Sequence, residues 1–227
     1  MKVCEIFRSI EGEGIRAGYP AMFVRLFGCN LNCSYCDSTY ACKPNEGHKS
    51  YQDWSLNTIM EMVRAGQVHR VTITGGEPLI HEDTLELVQS LLDNDYEVNI
   101  ETNGSIDISP YLGLNNSRDK LIITMDWKSL SSNMSDKMLA SNLSLLRTND
   151  VIKFVVSSDR DLDQMYRVLR DNELNCNVFV SPVFGEIEPK TIVDYILNEC
   201  DRSPYFDNVR IQLQLHKLIW DPNTRGV

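Results

Sequence analysis

The chain has 227 residues, 42% hydrophobic and 24% charged, enough to enclose one sizeable core and ordinary for a globular protein. A net charge of −10 argues against nucleic acid as a main partner, because phosphate binding needs clustered Lys and Arg, yet leaves room for a small anionic substrate met by one or two cations. No apolar run reaches membrane-spanning length, Met1-Lys2-Val3-Cys4-Glu5 carries no apolar leader core, and the odd count of seven cysteines reads as free thiols or metal ligands in a reducing cytosol. One cytoplasmic domain over residues 1–227 is expected, with neither membrane nor nucleic acid as partner.

Apolar runs suited to strands alternate with helical patterns. Residues 2–7 and 21–26 read as strands, and between them Glu11-Gly12-Glu13-Gly14 makes a glycine-punctuated turn with two carboxylates. Residues 56–65 have helical periodicity behind Ser55 as N-cap. Residues 70–74 are a short β-branched run that stops at Gly75-Gly76, 84–92 an amphipathic helix capped by Asp83, and 97–101 the next strand. A strand at 121–125, a helix at 137–146, a strand at 151–156, a helix at 162–170 and a strand at 177–180 follow. A helix at 191–199, with Pro189 near its start, and a strand at 209–213 complete the series. This alternation implies βαβ units and an α/β fold with a parallel sheet. Five or six units are too few to close an eight-fold barrel, so an open, partial parallel β/α barrel is expected.

The polar, glycine-rich or charged clusters fall where strands end: Thr74-Gly75-Gly76-Glu77-Pro78, Glu101-Thr102-Asn103-Gly104, Asp126-Trp127-Lys128-Ser129 and Ser181-Pro182-Val183-Phe184. In a parallel β/α barrel the C-terminal strand ends converge on one face, and that face hosts the active site.

The strongest single signal is Cys29, Cys33 and Cys36, spaced C-x3-C-x2-C after an apolar strand. Thiolates this close cannot all face one side of a helix or strand, so the loop must curl around a common centre, and cysteine thiolates are the usual ligands of iron–sulfur clusters. Three ligands on a four-iron cube leave one iron open for chemistry. The bland alternative is a closed zinc site, which needs a fourth ligand, and Cys42 or His48 could supply it. Cys4, Cys176 and Cys200 are most simply small core residues.

C-x3-C-x2-C with Tyr35 before the last cysteine resembles the radical S-adenosylmethionine enzymes. The resemblance implies that the three thiolates hold a [4Fe–4S] cluster and that S-adenosylmethionine chelates its fourth iron. The reduced cluster would then cleave the cofactor to a 5′-deoxyadenosyl radical. Tyr35 would lie beside the adenine. Gly75-Gly76-Glu77-Pro78, after a strand and roughly forty residues beyond the cysteines, matches that superfamily's second motif. There glycines allow close backbone approach, and carbonyls or Glu77 can accept from the cofactor's ammonium.

A narrower resemblance covers nearly the whole chain. Glu5-Ile6-Phe7 with Ile10-Glu11-Gly12-Glu13-Gly14, Phe23-Val24-Arg25-Leu26-Phe27-Gly28-Cys29, Cys36-Asp37-Ser38, and the tail Gln214-Leu215-His216-Lys217 with Arg225-Gly226-Val227 are similar to the 7-carboxy-7-deazaguanine synthase family. That family rearranges 6-carboxy-5,6,7,8-tetrahydropterin to 7-carboxy-7-deazaguanine and ammonia on the way to queuosine and related 7-deazapurines. The resemblance implies that the radical abstracts and later returns the C6 hydrogen, and that Mg²⁺ assists.

By the same resemblance Arg25 meets the pterin carboxylate, for which its planar fork is suited. The backbone at Ile10, Glu11 and Gly12 holds the pterin edge, with Thr74, His216 and Val227 closing around it and the tail 214–227 covering the pocket. Many relatives carry Gln at the Glu11 position; a glutamate accepts from a guanidine-like edge but does not donate. Ser38 stands where the family places a hydroxyl ligand to Mg²⁺. Glu101, Asn103, Asp126, Trp127, Lys128, Ser181, Pro182, Val183 and Phe184 map to cofactor-lining strand ends, although Asp126-Trp127-Lys128 departs from the Ser-Pro-Lys of several relatives. A homodimer and a low-potential electron donor such as a flavodoxin or ferredoxin are implied. The alternatives are a glycyl-radical enzyme activase, which shares the cysteine spacing, and a four-cysteine electron-transfer protein that uses Cys42.

Overall fold

The computed structural model describes residues 1–43, 50–116, 120–222 and 224–227; His48 lies outside the described residues. Among the described residues nine strands form one sheet: β1 (Lys2–Ile10), β2 (Pro20–Leu26), β3 (Gln52–Asp53), β4 (Arg70–Gly75), β5 (Glu97–Thr102), β6 (Leu121–Trp127), β7 (Val151–Val156), β8 (Asn177–Pro182) and β9 (Val209–Ile211), in the order β3-β1-β2-β4-β5-β6-β7-β8-β9. From β2 to β9 every neighbouring pair is parallel, whereas β1 runs antiparallel to both β2 and β3. The two ends of the sheet, β3 and β9, do not pair, so the barrel is open as expected.

Among the described residues the α-helices used below are α1 (Thr39–Cys42), α2 (Leu56–Ala65), α3 (Thr84–Asp93), α4 (Ser109–Leu112), α5 (Asp159–Asp171), α6 (Pro189–Cys200) and α7 (Leu215–Ile219). α2 starts where Ser55 Oγ accepts from Thr58 N–H at 3.1 Å and buries Ile59, Met60 and Val63 on one stripe. α3 does the same with Leu87, Val88, Leu91 and Leu92. Asp83 stands at its N-cap, but its side chain makes no capping bond and its backbone is already helical. No helix among the described residues is long and apolar enough to cross a membrane.

The strand period of two divides the sheet's faces by chemistry. Val71, Ile73, Val98, Ile100, Leu121, Ile123, Met125, Ile152, Phe154, Val178 and Val180 join the core under the helices. Of the residues between them, Thr72, Thr74, Asn99, Glu101, Thr124, Asp126, Lys153 and Ser181 face the other way, beside the buried Ile122 and Phe179, and line a largely polar concave surface. Trp127 shares the parity of Met125, and its ring packs in the core, so only its backbone remains at the strand end.

Two further expectations are corrected. Residues 137–146 do not form a helix: they fold as the 3-10 turns Ser135–Lys137 and Ala140–Leu145 with extended backbone at Leu139. Asn142, fully buried, donates to Ile106 O at 2.8 Å and Gly104 O at 3.3 Å and accepts from Ile108 N–H, so side-chain bonds to the preceding loop displace helical ones. The last strand ends at Ile211, because the Gln212 and Gln214 side chains turn back onto the loop after β1.

Candidate active site

Because β1 runs against the parallel strands, its end at Ile10 lies beside Pro20, at the beginning of β2. The loop after it starts at that N-terminal edge, where Arg16 donates to Glu97 O at 3.3 Å, and runs over the polar face to Lys153 and Ser181 as a floor, while the cysteine loop follows the C-terminal end of β2. Four hydrogen bonds fix the floor to the tail and the residues just before it: Gln212 Oε1 accepts from Gly14 N–H at 2.6 Å, its Nε2 donates to Gly14 O at 3.0 Å, Gln214 Nε2 donates to Glu13 Oε2 at 3.4 Å, and Leu215 N–H donates to Gly12 O at 3.1 Å. His216 packs against Gly12 so closely that any Cβ there would collide with its Nδ1. Burial lowers the His216 pKa, opposed by Glu13. Val227 is half-buried at the end of the same tail.

At the other end, Gly75-Gly76 is needed for packing. Gly75 has φ +143°, and a Cβ on either glycine would strike backbone of the approach to the cysteines: Leu26 for Gly75, Gly28 for Gly76. Gly76 N–H donates to Leu26 O at 3.2 Å and Glu77 N–H to Gly28 O at 2.8 Å, zipping the turn to the cysteine loop. The Glu77 carboxylate, fully buried, accepts from Asn103 N–H at 2.6 Å, Thr102 Oγ1 at 2.8 Å and Leu79 N–H at 3.0 Å. It braces two strand ends and has no free face, so the part of this motif open to a ligand is glycine backbone. Burial pushes its pKa up to about 7 despite those bonds.

Cys29, Cys33 and Cys36 are half-buried free thiols on that loop. Cys29 Sγ faces Leu31 N–H at 3.4 Å and the Asn103 amide nitrogen at 3.8 Å. Cys36 Sγ lies 3.8 Å from Cys42 Sγ, and Cys42 in turn donates to Ser38 O at 3.4 Å. The Cys42 S–H lowers the pKa of both Cys29 and Cys36 against burial, while burial raises Cys33 despite the nearby Lys128. Among the described residues no three such side chains converge as a ready-made metal shell. Thiols on one short loop, with N–H donors to sulfur and a lysine beside them, are nonetheless the donor set an iron–sulfur cluster takes. Tyr35 folds over the end of β7, its hydroxyl 3.3 Å from Val155 O. Ser38 is half-buried, and its hydroxyl donates to Asp37 Oδ1 at 3.1 Å.

Between floor and cysteine loop runs a band of charge. Arg25 Nε donates to Glu5 Oε1 at 2.8 Å, and the guanidinium stacks between Phe7 and Tyr40 at 5.7 and 5.8 Å. Thr74 Oγ1 donates to Glu101 Oε2 at 2.7 Å. Lys153, which the sequence reading passes over, is almost fully buried, 3.1 Å from both Glu13 Oε2 and Asp126 Oδ1. Asp126 also takes Lys128 Nζ at 3.0 Å, and Ser181 Oγ reaches Glu13 Oε1 at 3.4 Å. An alternating chain Glu13–Lys153–Asp126–Lys128 thus spans floor to rim. Against a burial that would discharge it, Asp126, Glu13 and Glu101 hold the Lys153 pKa well above the usual lysine range. The signal was present: a lysine inside the apolar strand Val151–Val156, as Arg25 stands inside Pro20–Leu26. Pro182 and Val183 are buried at the end of β8, and Phe184 is exposed beyond them.

Glu11 belongs to the floor loop itself. It is 1% exposed and accepts from Thr72 Oγ1, and burial, followed by the charge of Glu101, raises its pKa to about 7. Near neutrality it therefore holds a proton in part of the molecules and can donate as glutamine does. Between about pH 4.5 and 7 the folded chain keeps this proton where the unfolded chain has lost it, so its contribution to stability falls as pH rises. Glu11→Gln should accordingly be no more stable than the parent below about pH 4.5 and more stable by on the order of 2 kcal/mol at pH 8. Urea unfolding across that range measures it; a gain that does not grow with pH would refute the assignment.

A floor, a cysteine loop and a charged wall on an open β/α sheet agree with what comparison with known proteins finds. The family model described as the radical SAM superfamily matches residues 24–131. The 7-carboxy-7-deazaguanine synthase of Clostridium acetobutylicum is 42% identical over 229 aligned residues, covering 100% of this chain and 99% of that one, and the enzyme of the same name from Chlorobaculum tepidum is 35% identical over 100% and 97%. In fold, the crystal structure of QueE from Escherichia coli matches with a TM-score of 0.72 at 24% identity, covering 94% of this chain and 93% of that one. Streptococcus suis SuiB matches more loosely, with a TM-score of 0.56 over 88% of this chain and 51% of that one. Likeness along the full length to proteins of one name, over the residues that build this cavity, places the chain in the 7-carboxy-7-deazaguanine synthase family of the radical SAM superfamily.

Proposed function

We infer that the protein catalyses the radical ring contraction of 6-carboxy-5,6,7,8-tetrahydropterin to 7-carboxy-7-deazaguanine with release of ammonia, a step toward queuosine and related 7-deazapurines. Its relatives carry the name of that enzyme. The observation in this molecule that carries the reading is the concave face, where Arg25 and a band of buried polar groups lie between the glycine-rich floor and the cysteine loop. When bound, a [4Fe–4S] cluster with S-adenosylmethionine supplies the hydrogen-abstracting radical chemistry. Cys29, Cys33 and Cys36 would hold the cluster. Backbone of Gly75 and Gly76, with Tyr35, Glu101, Asn103, Asp126, Lys128 and the strand end at Ser181–Phe184, would line the cofactor.

Arg25, with its Nε edge held by Glu5, would present its remaining N–H groups to the substrate carboxylate. Ile10, Glu11 and Gly12 on the floor, with Thr74 and His216, would fix the pterin ring, and the tail 214–227, ending on Val227, would cover it. Ser38, hydrogen-bonded to Asp37, would offer one hydroxyl to Mg²⁺, an ion that keeps much of its water shell. The reading extends to a low-potential flavodoxin or ferredoxin as electron donor, a homodimer and a cytoplasmic location, the last supported by free cysteines throughout the described residues.

Binding to the reconstituted enzyme tests the substrate class. Arg25→Ala should weaken 6-carboxytetrahydropterin by roughly 30-fold, about 2 kcal/mol, and leave tetrahydropterin without the carboxylate nearly unchanged. Equal losses for both ligands would remove Arg25 from carboxylate recognition.

A further inference from the structure

Two motif residues have no direct contact with cluster, cofactor or substrate in that reading: Asp37, directly after Cys36, and Lys217, directly after His216. They meet in space. Lys217 Nζ lies 2.8 Å from Asp37 Oδ2 although 180 residues separate them in the chain. The lysine side chain is only 10% exposed and passes the Phe184 ring at 5.8 Å, so the ammonium is aimed by a covered stem. The same tail makes a second contact close by. The Arg225 guanidinium lies 4.0 Å from the ring centroid of Tyr40, on α1. The Tyr40 hydroxyl donates at 2.9 Å to Glu5 Oε1, the oxygen that also holds Arg25. Residues 37–42 are therefore gripped twice by the tail, while the start of the tail is fixed to the floor by Leu215 N–H on Gly12 O.

We propose that Lys217 is a positioning residue: its ion pair with Asp37, backed by Arg225 on Tyr40, straps the tail onto the segment that carries Cys36 and Ser38. Closure of the pocket and order of the cysteine loop then become one coupled equilibrium. The inference rests on the reading that the tail covers the substrate pocket. A tail tied only to the floor could close without effect on the cysteine loop; tied at both ends, it spans the cavity from floor to rim. The coupling is reciprocal, so whatever orders the cysteine loop also holds the tail, and a loosened tail frees Asp37 beside a cluster ligand. An exposed ion pair contributes little; here Asp37 is half-exposed, and what sets the pair apart is the covered Lys217 side chain together with the neighbouring Arg225–Tyr40 contact on the same segment.

Hydrogen exchange of peptides from residues 214–227 and the rate of iron loss to a chelator, both measured anaerobically on the reconstituted full chain, test the strap. Lys217→Met is expected to speed both severalfold, and Asp37→Asn to do the same. The double variant should be no worse than either single one, since one interaction is removed in each case. The charge exchange Asp37→Lys with Lys217→Asp should recover part of the protection, which keeps the test decisive if a single variant folds poorly. Unchanged exchange and iron loss in Lys217→Met, or single effects that add in the double variant, would overturn the proposal. A chain lacking residues 214–227 separates it from the underlying reading. If truncation weakens 6-carboxytetrahydropterin binding while Lys217→Met matches the parent in exchange and iron loss, the strap is wrong and the covering tail stands. If truncation leaves binding unchanged, the covering tail itself is wrong.

Discussion

Alanine at Cys29, Cys33 or Cys36 should each reduce bound iron and turnover to background, whereas Cys42→Ala should keep both. The difference is not one of distance, since Cys42 Sγ lies 3.8 Å from Cys36 Sγ. It lies in attachment. The three proposed ligands sit on the irregular loop between β2 and α1, while Cys42 closes α1, its Sγ 3.4 Å from Ser38 O, a local side-chain contact that holds the thiol without metal. Iron content and the absorbance of the reconstituted cluster decide the matter before any assay. Loss of the cluster in Cys42→Ala would mean four protein ligands, a closed site and no iron left for the cofactor.

Lys153→Met should destabilise the fold by about 3–5 kcal/mol, because it strips Glu13 and Asp126 of the cation they share in a buried setting. Methionine fills a similar volume, so the loss reports charge rather than a cavity. Lys153→Arg should recover much of it if the wider guanidinium can bridge the two carboxylates. The urea midpoint measures both. A neutral Lys153→Met would show that the carboxylates find water or other partners and that no continuous charge chain links floor to rim.

What the sequence revealed, and what it hid, follows from the range of the interactions. Strand alternation, the cysteine loop and the polar clusters at strand ends are local patterns, and the loop and clusters follow the C-terminal ends of the parallel strands of one open sheet. Arg25 was visible because a charge inside an apolar strand must have a reason, and Lys153 carries the same mark. Its partners, however, lie 140 residues away at Glu13 and across the β6–β7 register at Asp126, and no local pattern announces either. Trp127 shows the opposite case: it stands in a functional cluster, yet strand parity turns its ring into the core. Glu77 reads as a ligand acceptor in its motif, but the three hydrogen bonds it accepts come from Thr102 and Asn103 at the end of β5 and from the turn that it caps. The pairing of Lys217 with Asp37 depends on where the tail returns, which only the folded chain shows.

The most direct test of the whole account is a single anaerobic turnover experiment with reconstituted cluster, reductant, S-adenosylmethionine, Mg²⁺ and 6-carboxytetrahydropterin. The account predicts 7-carboxy-7-deazaguanine and ammonia in equal amounts, with S-adenosylmethionine not consumed in proportion to product. An intact cluster that cleaves S-adenosylmethionine yet forms no deazaguanine would contradict it: the superfamily would stand, and the substrate assigned to the concave face would be wrong.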